Sequence, residues 1–172
     1  MTRIGLLSDT HSYLDPALED YFSECDEIWH AGDIGDWSVV EKMLSWNKPL
    51  RLVYGNIDDH KMRAETNENE IFTVDGMKIF MTHIGGNPGK YFPRVREIIN
   101  SEDPDIFVCG HSHILRVIFD KKYDLLYLNP GAAGKHGFHQ MRTALRFNID
   151  NGRVLNMEVI ELGLRGSAKP DQ

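Results

Sequence analysis

Apolar runs of strand length recur along the whole chain, and the early ones empty into clusters of aspartate, asparagine, glycine and histidine. The runs are Ile4–Leu7, Ile28–Ala31, Leu50–Tyr54, Ile71–Val74, Lys78–Thr82, Ile106–Cys109, Leu115–Phe119, Leu125–Leu128, Thr143–Ile149 and Val154–Ile160. Several are rich in Val, Ile, Phe and Tyr, the side chains that pack well on a pleated surface. None approaches the ~18 consecutive apolar residues of a membrane span, so the core must be built largely from sheets.

Helical signals are fewer. Asp15-Pro16 pairs an N-cap with proline at the first helical position before Ala17–Phe22. Asp36 or Ser38 caps Val39–Trp46, in which Val40, Met43 and Leu44 recur at helical spacing, and Pro93 opens Arg94–Asn100 ahead of Pro104. Strand and helix alternate in the first half, which predicts parallel pairing. Strands follow one another in the second half, which predicts antiparallel hairpins. "VDGM" at 74–77 and "IDNG" at 149–152 carry the Asp-Gly and Asn-Gly pairs of tight hairpin turns. The expected fold is a mixed α/β sandwich: one domain over residues 1–162 with a loose tail at 163–172.

At 172 residues such a domain buries a core without disulfides. Cys25 and Cys109 are widely separated and lack a Cys-x-x-Cys partner, so they read as reduced, buried thiols. A formal net charge of −7 with no basic run argues against general nucleic-acid binding, which needs clustered Lys and Arg. The opening "MTRIGLLSDTH" enters a strand directly, without the apolar core or cleavage site of a signal peptide, so a cytoplasmic location is expected. Trp29, Trp37 and Trp46 are candidates for core or interface, with core favoured for at least two.

Five runs share a feature that packing does not require. They lead into Asp9-Thr10-His11, Gly32-Asp33, Gly55-Asn56-Ile57-Asp58, His83 with Gly85-Gly86, and Gly110-His111-Ser112-His113. In a parallel α/β sheet the C-terminal strand ends lie along one edge, so these loops converge on one crevice. Singly, each residue has an ordinary reading as turn former, helix cap or buried imidazole; their joint recurrence favours a site. Asp9, His11, Asp33, Asn56, His83, His111 and His113 form an oxygen and imidazole ligand set without thiolate, suited to Mn²⁺, Fe or Zn²⁺ in a catalytic site. Seven candidates exceed the needs of one tetrahedral ion, and two ions sharing a carboxylate account for the surplus. Gly85 and Gly86 are candidates for an anion-binding nest beside His83.

The ordered series Asp9-x-His11, Gly32-Asp33, Gly55-Asn56, His83 and Gly110-His111-Ser112-His113 resembles the calcineurin-like metallophosphoesterases, most of all their small single-domain bacterial and archaeal phosphodiesterase branch. The resemblance implies a four-layer αββα sandwich, two mostly mixed β-sheets flanked by helices, with the site along one edge. It implies that Asp9, His11 and His113 hold one metal, that Asn56, His83 and His111 hold the other, and that Asp33 bridges them. Mn²⁺ is the favoured ion, with Fe, Zn, Ni and Co as alternatives. Two cations ~3.5–4 Å apart lower the pKa of a bridging water for in-line attack on a small phosphate ester, more plausibly a diester than a monoester. Asp33, Asn56 and His11 would carry the catalysis, with Asn56 also positioning a phosphate oxygen. Asn129-Pro130-Gly131 resembles a turn that lies near this site in relatives.

One position departs from the wider family. A histidine that can protonate the leaving group commonly follows the motif asparagine, and here that residue is Ile57. General acid catalysis is worth ~10²–10⁴-fold, so the departure bears on turnover more than on metal binding. Asp58, His60, His136 and His139 are the candidate substitutes, and Lys90, Tyr91, Arg94 and Arg96 are candidates for reaching a substrate.

The branch also resembles a eukaryotic retromer subunit, which makes a metal-binding interaction scaffold of the same fold the rival reading. A homo-oligomer stays open. No Gly-x-Ser-x-Gly elbow occurs. "GGNPGKY" at 85–91 fails as a P-loop because Ile84 stands where the first glycine belongs and Tyr91 replaces the final Ser or Thr.

Overall fold

A computed structural model of the chain describes residues 1–167. The strands are β1 (Thr2–Leu7), β2 (Glu27–His30), β3 (Leu50–Leu52), β4 (Asn69–Val74), β5 (Met77–Thr82), β6 (Gly86–Asn87), β7 (Lys90–Tyr91), β8 (Ile106–Val108), β9 (Leu115–Asp120), β10 (Leu125–Pro130), β11 (Met141–Asp150) and β12 (Arg153–Leu164). The helices are α1 (Ala17–Tyr21), α2 (Trp37–Leu44), α3 (His60–Glu65) and α4 (Pro93–Glu102). Every expected apolar run contributes to a strand.

Local chemistry sets the boundaries. The Asp15 carboxylate accepts the Ala17 N–H at 2.9 Å where α1 starts. Asp36, not Ser38, caps α2 by accepting the Ser38 N–H at 2.8 Å. Pro93 opens α4, which ends at Asp103 in a left-handed conformation. Asp75-Gly76 and Asn151-Gly152 all have positive φ, as tight turns between β4 and β5 and between β11 and β12 require.

The strands form two five-stranded mixed sheets, ordered β12-β11-β1-β2-β3 and β4-β5-β8-β10-β9. Their inner faces meet in a core that includes Ile4, Leu6, Trp29, Ile79, Ile106, Val108, Leu128, Leu145 and Phe147. On the outer face of the first sheet, Leu7 and Ile28 pack with Leu18 of α1 and Val39, Val40 and Met43 of α2. On the outer face of the second, Phe80 and Phe107 pack with Val95 and Ile99 of α4. The result is the αββα sandwich. Trp29 is core, and Trp37 and Trp46 pack half-buried against the α1/α2 layer. Cys25 and Cys109 are free and buried.

The antiparallel hairpins expected in the second half are β9–β10 and β11–β12, but β8 lies between β5 and β10 and runs parallel to both. The α4 crossover joins β5 to β8, and β9 folds back as the edge strand beside β10. Both sheets therefore contribute parallel strands, β1-β2-β3 in one and β5-β8-β10 in the other. The expected tail at 163–172 falls only partly within the described residues. Strand β12 extends to Leu164, a 3₁₀ turn covers Arg165–Ser167, and the rest of the tail lies outside the described residues. Among the described residues no helix is long and apolar enough to cross a membrane.

The β6–β7 hairpin is secured by a buried carboxylate. Asp120 accepts the Gly89 N–H and the Tyr91 hydroxyl, each at 2.7 Å, and the Lys122 N–H at 3.0 Å. Burial works against its charge, but the Tyr91 hydroxyl and the backbone donors outweigh it and hold the carboxyl below its ordinary pKa. Such a group stabilises the fold above the carboxylate's unfolded value near ~3.9, and the contribution fades as pH falls through the folded value. Asp120→Ala is expected to cost about 1–3 kcal/mol at neutral pH by urea denaturation, with the difference from wild type shrinking as pH falls below about 4. A pH-independent difference would count against the carboxylate's role.

Candidate metal centre

The loops after the parallel strands are laced together by main-chain hydrogen bonds. Asp9, His11 and Ser12 donate to the carbonyls of Gly32, Asp33 and Ile34 at 2.9–3.0 Å, and Gly110 donates to the His83 carbonyl at 3.0 Å. Asp9, His11, Asp33, His111 and His113 all adopt positive φ, uncommon for residues with a side chain and concentrated at the ligand positions. Two glycines permit this crowding. A Cβ at Gly55 would collide with the Asp33 carboxylate and the His83 ring, and one at Gly110 would collide with Ser8 Oγ and the Asp9 carboxylate.

Two triads result, Asp9-His11-His113 and Asp33-His83-His111, each with its ligand atoms within 4.8 Å of one another. The two carboxylates link the triads. Asp9 Oδ1 lies 3.1 Å from His113 Nε2 and 3.8 Å from both His11 Nε2 and His83 Nε2. Asp33 Oδ2 lies 3.2 Å from His83 Nε2 and 3.5 Å from His11 Nε2. Asn56 is exposed beside them and lines the cavity above.

The remaining atoms of these groups are tied down, which leaves the inward ones free to coordinate. Asp9 Oδ2 accepts from Ser8 Oγ at 2.7 Å and from the His111 N–H at 3.1 Å. Asp33 Oδ1 accepts the Ile57 N–H at 3.0 Å. His83 Nδ1 meets the Ala31 carbonyl at 2.7 Å, so it carries the proton and Nε2 presents its lone pair inward. Asp9 Oδ1, His11 Nε2 and His83 Nε2 are buried without a hydrogen-bond partner. Leaving such atoms unpaired is costly unless something binds them, and a divalent cation fits oxygen and imidazole donors arranged this way.

Electrostatics agree. Burial opposes ionisation of Asp9, yet the neighbouring His11 and His113 rings and the charge of His83 outweigh it and hold its carboxyl well below the usual carboxylate range. Burial also disfavours a charged His83, but Asp33 and Asp9 raise its pKa above the ordinary imidazole value. Carboxylates here attract positive charge, and the imidazole nitrogens must shed protons to bind metal.

Two supporting residues, His30 and Ser8, escaped the sequence reading. His30, fully buried and pushed down to about 3 by desolvation, stays neutral. It accepts the Gly32 N–H on Nδ1 at 3.2 Å and meets Thr10 Oγ1 at 3.0 Å through Nε2, which fixes the loops of Asp9 and Asp33 relative to each other. Ser8, which holds Asp9, was missed too, and the only sequence signal was the position of both residues at the end of a buried run. Asn129 donates to the Gly110 carbonyl at 2.9 Å and to Ser112 Oγ at 3.1 Å, so the Asn-Pro-Gly turn supports the Gly-His-Ser-His loop.

Among the candidate acids, Asp58 is a clamp. Its carboxylate accepts the N–H groups of Gly55, Gly35 and Ile34 at 2.7, 2.8 and 3.2 Å, leaving no role as proton donor. His60 begins α3 and does not line the cavity, whereas His136 and His139 do. Gly85 and Gly86 do not line it either; Gly85 is small because Phe107 packs against it, and Gly86 starts the β6–β7 hairpin. Tyr91 is buried on Asp120, and Lys90 and Arg96 are surface groups. Arg94 binds Asn69 and Thr82 and lines a smaller cavity of about 160 Å³ with Arg63, Asn56 and His83.

The model of the calcineurin-like phosphoesterase superfamily domain matches residues 2–152, most of the chain. The chain belongs to that superfamily. A probable metallophosphoesterase of Methanocaldococcus jannaschii is 30% identical over 139 residues, spanning 75% of this chain and 67% of the relative. Among solved structures, an archaeal phosphodiesterase superposes with a TM-score of 0.73 at 22% identity, covering 92% of this chain and 99% of its own. Zinc-complexed Vps29 from Entamoeba histolytica superposes with a TM-score of 0.71 at 17% identity, covering 92% of this chain and 98% of its own. At these identities both structures speak for the shared fold. Superfamily membership and the two triads together make the site one for divalent metal and phosphate-ester chemistry.

Proposed function

We propose that this phosphoesterase is a phosphodiesterase working with two divalent cations, Mn²⁺ favoured, held by Asp9, His11 and His113 on one side and Asn56, His83 and His111 on the other, with Asp33 shared. The observation that carries the reading is the convergence of three buried, unpartnered ligand atoms from Asp9, His11 and His83 between the two triads. Two such cations supply a water of lowered pKa and neutralise charge on a phosphoryl group.

The chain's own residues supply the rest. Asp33 offers Oδ2 inward while Ile57 holds Oδ1, so its carboxylate is oriented before anything binds. Asn56 lines both cavities and positions a phosphate oxygen, its main-chain carbonyl accepting from the Arg63 guanidinium at 3.2 Å. The His11 ring is fixed between His113 and His136. The cavity of about 540 Å³ leaves room for groups on both ester arms of a diester. The competing scaffold reading draws on the Vps29 likeness, which is one of fold.

Chelator-treated protein reloaded with Mn²⁺ is expected to hydrolyse bis-p-nitrophenyl phosphate faster than p-nitrophenyl phosphate. No cleavage of either at full metal loading would favour the scaffold. Ile57 leaves the leaving-group proton without a donor at that position, so Ile57→His should raise turnover of alkyl diesters by up to ~10²-fold and that of nitrophenyl diesters much less. Equal effects on both would count against the missing acid.

A further inference from the structure

The cavity over the ligand cluster has a mixed lining. His11, Asp33, Asn56, His111 and His113 line it together with the apolar Ile57, Ile114 and Phe138, these three each from a different loop. Ile57 is 44% exposed, Ile114 is 54% exposed and Phe138 is fully exposed, and none belongs to a core cluster. Single exposed apolar side chains are ordinary, but several around one concave polar site mark a ligand surface. Their backbones are held in place. The Ile57 N–H is bound by Asp33, the Ile114 N–H donates to Ser112 Oγ at 3.2 Å, and the Phe138 loop is closed by His139 Nε2 donating to the Gly134 carbonyl at 2.9 Å. The His136 ring, packed on His11 with centroids 4.8 Å apart, adds a flat wall.

A molecule matching this cavity is anionic at one end and apolar at the other. We propose that Ile57, Ile114 and Phe138 clamp a planar aromatic ring on the leaving arm of the phosphodiester, so that aryl or nucleosidyl esters are selected over small alkyl esters. This rests on the phosphoesterase reading above. An aromatic ring suits the ring surfaces of Phe138 and His136 better than an alkyl chain, because aromatic pairs gain beyond buried area. For aryl esters Ile57 supports the same choice chemically, since a stabilised aryl oxide departs without the proton that this residue cannot give; a nucleosidyl arm leaves as an alkoxide and gains from the ring contact alone.

The test uses phosphonates, which carry the anion without a cleavable ester, titrated by calorimetry into the Mn²⁺-loaded full chain. Phenylphosphonate is expected to bind about tenfold or more tightly than methylphosphonate, the low end of what one apolar group achieves in a pocket. Phe138→Ala and, separately, Ile114→Ser should each cut that ratio at least about threefold; both side chains are exposed, so folding is not at stake. The 5′-phosphonate of 5′-deoxythymidine, joined through a C–P bond, distinguishes the sources of the ring: affinity matching phenylphosphonate indicates a nucleosidyl ester, and affinity only for phenylphosphonate indicates a simple aryl ester. Equal binding of the phenyl and methyl compounds, or a ratio unchanged in both variants, overturns the clamp alone. Failure of every phosphonate to bind overturns the phosphoesterase reading as well.

Discussion

Asp33→Ala is expected to remove hydrolysis and most of the metal binding together. Its Oδ2 faces His83 at 3.2 Å and His11 at 3.5 Å, one ring from each triad, so its loss withdraws negative charge from both positions at once. Removing a group that merely orients a ligand costs ~10–100-fold in metal affinity or activity, and a carboxylate shared by two ions should cost more, at least ~10³-fold in kcat/KM. Asp33→Asn separates charge from geometry, because an amide oxygen still accepts the Ile57 N–H and keeps the loop in place. It should lose nearly as much activity as the alanine variant while retaining wild-type stability of the metal-free protein. Substantial activity in Asp33→Asn would show that the carboxylate charge is not what the site uses.

Asp58→Ala should produce the largest loss of stability of any single change in these loops. The carboxylate satisfies three main-chain N–H groups, two on the Asp33 loop and one at Gly55, across a sequence separation of 24 residues for the farther pair. Arg63 completes the clamp by donating to the Asp58 carbonyl at 2.8 Å and the Gly55 carbonyl at 3.3 Å. Each buried donor left without an acceptor costs ~1–3 kcal/mol, and partial recovery by water sets the expected total at about 3–5 kcal/mol. Chemical denaturation of metal-free protein measures it. Metal affinity should fall too, because Asn56 and Asp33 lose their fixed separation. A loss below about 1 kcal/mol would mean that the two loops hold together without the carboxylate.

Much of this was legible in the sequence because the relevant patterns are local. Buried strands announce themselves as apolar runs, and the candidate ligands stand directly after them, so both the sandwich and the seven metal-ligand candidates could be read residue by residue. What could not be read depends on distant partners. Asp58 looked like a turn residue or acid because its partners Ile34 and Gly35 lie on another loop. The parallel order of β5, β8 and β10 was hidden because β9 intervenes in sequence while taking the sheet edge in space. Helix α3 was missed since it buries only Met62 and has no periodic apolar face to show. The β6–β7 hairpin has two residues per strand and depends on Asp120 for its anchor. The apolar part of the cavity lining was equally silent, since Ile57, Ile114 and Phe138 come to share one cavity only through the folded loops.

In the proposed mechanism two cations act together between the triads. The most direct test follows hydrolysis of bis-p-nitrophenyl phosphate while Mn²⁺ is titrated into metal-free protein, with bound metal per chain measured at each point. Little activity is expected at one equivalent and full activity at two, with neither reached in Asp33→Asn. Activity that saturates at one bound ion, or that persists without metal, would contradict that mechanism.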